Sequence, residues 1–269
     1  MLIGALAVGV AAPLVISDTA LAQASGRPWL GLELAARKDG KAGATVRHVV
    51  RSSPADVAGL KDGDAVVALD GKPVKSPNEV IGEVRARKTG DVVELTFERG
   101  SIERKAKVKL ETFPGAEEIL RRERLGQFAP ALTGIVAAQG TASSLASMRG
   151  KVVVLDFWAG WCTVCKLVAP VLNGWHEKLG AQGLIVLGVS SDAATVASKA
   201  IDDFGIKYAV GLDKDQSIFP AYGITSLPTM FVIDKRGVVR GAEIGFDPAG
   251  LVRAEALVKA LLAEKAPED

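Results

Sequence analysis

The two cysteines of this 269-residue chain stand together in Trp161-Cys162-Thr163-Val164-Cys165-Lys166, directly after the apolar run Val152 to Trp158. The pattern predicts a strand followed by a helix over Cys162 to Leu179. At a helix start, unpaired backbone amides and the positive end of the helix dipole stabilise a thiolate, and a two-residue spacer keeps the second sulfur within disulfide reach. These are the requirements of thiol–disulfide exchange, with Cys162 as the exposed nucleophile and Cys165, one turn deeper, as the resolving thiol. A zinc knuckle needs four ligands. The chain's two histidines, His48 and His176, form no second pair at ligand spacing. No metal is therefore expected, and no cofactor beyond the redox-active Cys162–Cys165 disulfide. Two buried structural cysteines are the plain alternative, against which the flanking Trp161 and the helix-start position argue.

A resolving thiol must lose a proton inside an apolar site. Asp156 lies between Leu155 and Phe157, where burial raises a carboxyl pKa toward the working range. It is the candidate acceptor, the alternative being a solvated carboxylate at a strand end. Trp158 and Trp161 are placed to frame the site, and His176 is given no chemistry.

The elements that must position these groups alternate from Gly126 to about Leu262. Strands are expected at Val152–Trp158, Leu184–Val189 and Thr229–Ile233, with helices at Cys162–Leu179, Ala193–Phe204 and Leu251–Ala263. Such alternation implies an α/β domain over residues 126–265, a central sheet flanked by helices. Asp156-Phe157-Trp158-Ala159 and Lys166-Leu167-Val168-Ala169-Pro170 are similar to thioredoxin, and the region resembles the thioredoxin superfamily, whose fold has a central mixed sheet. Leu125-Gly126-Gln127-Phe128-Ala129-Pro130 and Met148-Arg149-Gly150-Lys151-Val152 resemble the lead-in of its TlpA/ResA branch of exported reductases. Val168 departs from that branch, many members of which carry a Glu there. The resemblance implies a cis proline at Pro228, in Ser226-Leu227-Pro228-Thr229, lying against the disulfide. The Leu227 backbone would then be open to an extended client. An ordinary proline at the first residue of a strand is the alternative.

Residues 27–112 read as short strands, turns and one helix from Pro77 to about Lys88. Ser53-Pro54-Ala55-Asp56-Val57-Ala58-Gly59-Leu60-Lys61-Asp62-Gly63-Asp64 resembles a PDZ domain of the HtrA type, with Asp70-Gly71 as its next turn. No protease triad can be assembled beside it. The resemblance implies a loop at Trp29-Leu30-Gly31-Leu32 whose amides receive a peptide's terminal carboxylate. Val80, Ile81 and Val84 would face it, with Leu32 and Leu34, across an apolar pocket. The same residues must also fill a small core. Residues 113–125 read as a linker carrying a short charged helix.

Leu2 to Ile16 is uncharged and leads to Ala20-Leu21-Ala22, the form of a signal peptide covering residues 1–22. No Lys or Arg precedes the apolar run, and an uncleaved membrane anchor is the alternative. Export to the periplasm would place the thiols where disulfides persist. A formal net charge of +2 offers no field for nucleic acid. Arg104, Lys105, Lys107 and Lys109 alternate as a solvated strand edge.

Together these readings give two domains, a small β-rich PDZ domain followed by an α/β thioredoxin-like fold. The function they imply is exported thiol–disulfide oxidoreduction on cysteine-containing protein clients, with peptides or C-termini recruited by the first domain and an unidentified upstream electron partner. Thr163-Val164 lacks the Pro-His spacer of the strongly oxidising DsbA type, which favours reduction. A redox-inactive scaffold is the alternative, and a thiol peroxidase is disfavoured by the Trp-Cys-x-x-Cys context.

Overall fold

The computed structural model describes residues 26–141 and 144–265, so the signal-peptide reading lies outside the described residues. The chain divides between Gly115 and Ala116 into two compact units.

The first unit runs β1 (Pro28–Trp29), β2 (Leu32–Ala36), β3 (Ala44–Val49), α1 (Pro54–Val57), β4 (Ala65–Leu69), β5 (Lys72–Pro73), α2 (Pro77–Arg85), β6 (Val92–Arg99), β7 (Ile102–Lys109) and β8 (Glu111–Thr112). Its main sheet has the order β2-β3-β4-β6-β7, with β5 on β4, while β1 pairs with β8. Both helices start on a serine cap followed by proline: Ser53 accepts from the Asp56 amide and Ser76 from the Glu79 amide. The core gathers Val46, Leu60, Val66, Leu69, Val80, Leu95 and Phe97. Asp64 is buried but paired, taking two 2.8 Å hydrogen bonds from Arg99 and one from the Lys61 amide. The basic cluster lies on edge strand β7, where Arg104, Lys105, Lys107 and Lys109 are exposed.

The second unit runs α3 (Ala116–Arg124), β9 (Val136–Gln139), β10 (Val152–Trp158), α4 (Cys165–Leu179), β11 (Leu184–Ser190), α5 (Ala194–Phe204), β12 (Ala209–Leu212), α6 (Ile218–Tyr222), β13 (Thr229–Ile233), β14 (Val239–Ile244) and α7 (Pro248–Ala263). The sheet order is β14-β13-β10-β11-β12-β9. Strands β10, β11 and β12 are mutually parallel, joined by α4 and α5, and the other pairings are antiparallel. Central β10 is buried along its whole length, as a strand covered on both faces must be. One face packs on α4, α5 and α7, the other on α3 and α6. Among the described residues no helix is long and apolar enough to cross a membrane.

Three differences from the sequence reading have physical causes. The cysteine helix begins at Cys165, because Cys162 is held in a turn whose amide donates to Ala159 O at 3.0 Å. The segment read as a linker carries α3, which docks on the second unit. Leu120 is buried with Tyr222 and Phe231, Arg124 donates to the carbonyls of Ala221 and Tyr222, and Arg121 donates to that of Ala242. Its single buried leucine, among charges, is a weak signal until the sheet face is known. Finally, β9, β12, β14 and α6 went unread, being four to six residues long; they show too few turns or alternations to declare a period.

Candidate active site

Strand β10 sorts its side chains by alternation. Val153, Leu155 and Phe157 enter the core beneath α3 and α6, whereas Val152, Val154 and Trp158 enter the core that holds both cysteines. Asp156 shares the second face. The chain leaves the end of β10, turns through Ala159-Gly160-Trp161, and enters α4 at Cys165. Cys162 and Cys165 are joined by a disulfide, with Cα atoms 5.3 Å apart. The Cys165 amide donates to Cys162 Sγ at 3.2 Å. That amide belongs to the first turn of α4, so the reduced sulfur would face partial positive charge.

Cys162 is not exposed as expected. It is 5% exposed and Cys165 3%, while the adjacent Trp161 is 73% exposed. The tight turn draws the sulfur into the core beside Trp158, Ala159 and Val168. Val168 itself is buried there, so no acid occupies the position where the TlpA/ResA branch often carries Glu.

The turn is anchored by a residue that sequence reasoning missed. Asp192 Oδ2 accepts from the Gly160 amide at 2.6 Å and from Ser190 Oγ at 2.9 Å. A polar Ser-Ser-Asp closing an apolar strand was the available signal. Gly160 is close-packed as well: a Cβ there would stand 3.1 Å from Ala200 Cβ and 3.2 Å from Val196 Cγ1.

Asp156 is 3% exposed. Loss of hydration pushes its pKa up to about 7, opposed by a hydrogen bond from Tyr208, whose hydroxyl donates to Oδ2 at 2.9 Å. Among the described residues Oδ1 has no hydrogen-bond partner. Burial, and then the neighbouring carboxylate, drive the Tyr208 hydroxyl well above its ordinary pKa, so it remains a donor. His176 is half-buried on α4, with Nδ1 enclosed and without a partner among the described residues.

The Leu227–Pro228 peptide is cis. Thr229 pairs with Phe157, which puts Pro228 beside the end of β10 from which the cysteine turn departs. Pro228 O accepts from the Gly245 amide. The Leu227 main chain makes no hydrogen bond among the described residues.

The remaining predicted binding residues belong to the first unit. Trp29, Leu30, Gly31, Leu32, Val80 and Val84 line one groove, joined by Arg27, Pro28, Leu34, Ile81 and Arg85. Leu30, Val80 and Val84 are buried and also serve the core. The loop is held by its carbonyls, Leu30 O accepting from the Ala55 amide and Gly31 O from that of Val50, and the Leu30 and Gly31 amides donate to no group among the described residues. Gly31 has φ +85°, and a Cβ there would lie 2.1 Å from Ser53 Cβ, so only glycine fits. Among the described residues no cluster of three or more His, Cys, Asp or Glu could hold a metal.

Comparison with known proteins follows the same division. The profile of the AhpC/TSA family matches residues 125–242, and that of the PDZ domain matches residues 28–110. The thiol-disulfide oxidoreductase ResA of Bacillus thuringiensis (strain Al Hakam) is 33% identical over 123 residues, which is 45% of this chain and 70% of that protein. The ResA of Bacillus anthracis matches to the same extent. A solved thiol:disulfide interchange protein of the thioredoxin family from Chlorobium tepidum TLS is 26% identical with a TM-score of 0.45, covering 51% of this chain and 97% of its own. With its disulfide at the start of α4 and this match to most of the length of ResA, the chain belongs to the ResA-type thiol-disulfide oxidoreductases of the thioredoxin superfamily, carrying a PDZ domain ahead of the enzyme domain.

Proposed function

We propose that this oxidoreductase works outside the cytoplasm as a reductant of protein disulfides, with Cys162 as nucleophile, Cys165 as resolving thiol and Asp156 as proton acceptor. The observation that carries the reading is the convergence, on one face of β10, of a helix-start disulfide and a buried carboxyl with a pKa of about 7. In the reduced protein the Cys162 thiolate attacks a client disulfide, forming a mixed disulfide and expelling one client thiolate. Cys165 passes its proton to Asp156 and attacks Cys162 Sγ, closing the intramolecular disulfide and expelling the second client thiolate. Two electrons reach the client, and an upstream dithiol protein must return them. Trp161 gives an exposed apolar flank to the approaching chain, and the free Leu227 backbone beside Pro228 suits an extended client segment. Export rests on the uncharged Leu2–Ile16 stretch with its Ala-Leu-Ala exit, in the periplasm either as a cleaved product or held at the membrane by that segment.

The direction of electron flow rests on the Thr163-Val164 spacer, and the equilibrium potential of the Cys162/Cys165 couple against glutathione tests it. A value near about −270 mV is expected; one near about −120 mV would make the protein an oxidant.

The PDZ unit would recruit clients or a partner by a peptide or C-terminus, its free Leu30 and Gly31 amides meeting the carboxylate. Leu32→Asp is expected to weaken client capture roughly tenfold, as loss of an apolar anchor does, while leaving the redox potential unchanged. Undiminished capture by that variant would remove the recruitment role. Gly31 is unsuited to this test because any side chain there collides with Ser53.

A further inference from the structure

Tyr208 precedes β12 and stands 52 residues from Asp156 in sequence, yet its hydroxyl is the one hydrogen-bond partner of that carboxyl among the described residues. The approach depends on a glycine. Parallel pairing sets Gly188 of β11 beside Asp156, and a Cβ on Gly188 would stand 2.7 Å from Trp158 Nε1 and 3.2 Å from Tyr208 Cε2. The missing side chain leaves the space that the indole and the phenol occupy, and from it the phenol reaches the carboxyl. Both rings are almost fully buried, and Trp158 is held in turn against Phe204.

The other buried donor on this face, Trp158 Nε1, makes no hydrogen bond to Asp156 and is without a partner among the described residues. Met230 faces Asp156 from β13, and α5 and α7 present aliphatic side chains to this core. Among the described residues the titratable groups on this face are therefore Tyr208 and, once the disulfide is reduced, the thiols of Cys162 and Cys165. His176 lies eleven residues beyond Cys165, about 16 Å along the helix. The other buried carboxylates of this unit, Asp213 and Asp234, are occupied by backbone amides after β12 and β13. Among the described residues no cation pairs with Asp156.

We propose that Tyr208 is the positioning residue of the exchange site: its hydroxyl fixes Oδ2 of Asp156 and leaves Oδ1 to receive the Cys165 proton, an inference that rests on reading Asp156 as the acceptor. A hydroxyl donated to a carboxylate favours the charged form. Tyr208 therefore opposes the desolvation that would otherwise keep Asp156 protonated and useless as a base at neutral pH. Because its own proton is held far above neutrality, the contact is present throughout the working range.

The test is a carboxyl NMR titration of Asp156 in the reduced full chain, wild type against Tyr208→Phe, together with the pH profile of mixed-disulfide resolution. Tyr208→Phe keeps the ring and removes the donor. The Asp156 midpoint is expected to rise by about one pH unit, roughly tenfold less carboxylate below it, and the rate profile should move with it. In an Asp156→Asn background Tyr208→Phe should leave the rate profile unchanged. An unmoved midpoint overturns the proposal, and so does an equal rate loss in both backgrounds, which would assign Tyr208 to packing alone. Should Asp156→Asn by itself leave the wild-type profile intact, the acceptor reading fails, while the titration still reports whether Tyr208 holds the carboxyl.

Discussion

Asp156→Asn is expected to give a protein that melts higher at pH 8 and resolves its mixed disulfides more slowly. An Asp whose folded pKa lies at about 7 against roughly 3.9 when unfolded binds more protons native than unfolded between those values. Stability is then greatest below about pH 4, falls as pH rises toward 7, and levels off above. The three-unit gap corresponds to about 4 kcal/mol for a fully buried group. Asparagine never pays this ionisation cost, though its amide must still be desolvated at about 1–3 kcal/mol. A net gain of about 2 kcal/mol at pH 8, or roughly 5 °C in Tm, should turn into a loss of about 2 kcal/mol near pH 4, where the ionisation cost is gone and the amide's remains. Thermal melts of oxidised wild type and variant across pH 4 to 8 measure it, and parallel curves would refute the buried, ionising carboxyl. Resolution of a pre-formed mixed disulfide should slow by roughly a hundredfold, the scale of general-base catalysis. An unchanged rate would take Asp156 out of the proton path.

Cys165→Ser is expected to abolish turnover and to accumulate covalent client complexes through Cys162, released by dithiothreitol. Cys162→Ser should accumulate none. The asymmetry does not come from exposure, since both cysteines are almost completely buried. It comes from the helix: Cys162 Sγ receives the Cys165 amide at the first residue of α4, whereas among the described residues no amide donates to Cys165 Sγ. Non-reducing gels of each variant incubated with an exported-protein fraction decide the matter. Equal trapping by both variants would reverse or dissolve the assignment of nucleophile.

The stability and the resolution rate of this enzyme are linked through one carboxyl, that of Asp156. A base near neutrality is useful to the exchange and costly to the fold, and Tyr208 sets where that balance falls.

Much of this was written locally in the chain. The cysteine spacing, the apolar Val152–Trp158 run, the Thr229–Ile233 strand after Ser226-Leu227-Pro228, and the Gly- and Pro-punctuated strands of the first unit each depend on neighbours a few residues away. Alternation, caps and turn chemistry read at that range. An aspartate between Leu155 and Phe157 could likewise be expected inside, because a central strand covered on both faces has nowhere else to put it. What only the tertiary structure decided came from distance in sequence. Tyr208 reaches Asp156 across 52 residues, and Gly188 makes room for it only because parallel pairing sets β11 beside β10. Asp192 ties down the Gly160 turn from the end of another strand, and α3 became part of the enzyme unit because Leu120 found a sheet face to cover. Cys162, expected outside, went inside, since exposure depends on which side chains the turn is folded against. Local periodicity sets which face a residue takes; only the closed packing of sheet and helices sets what that face meets.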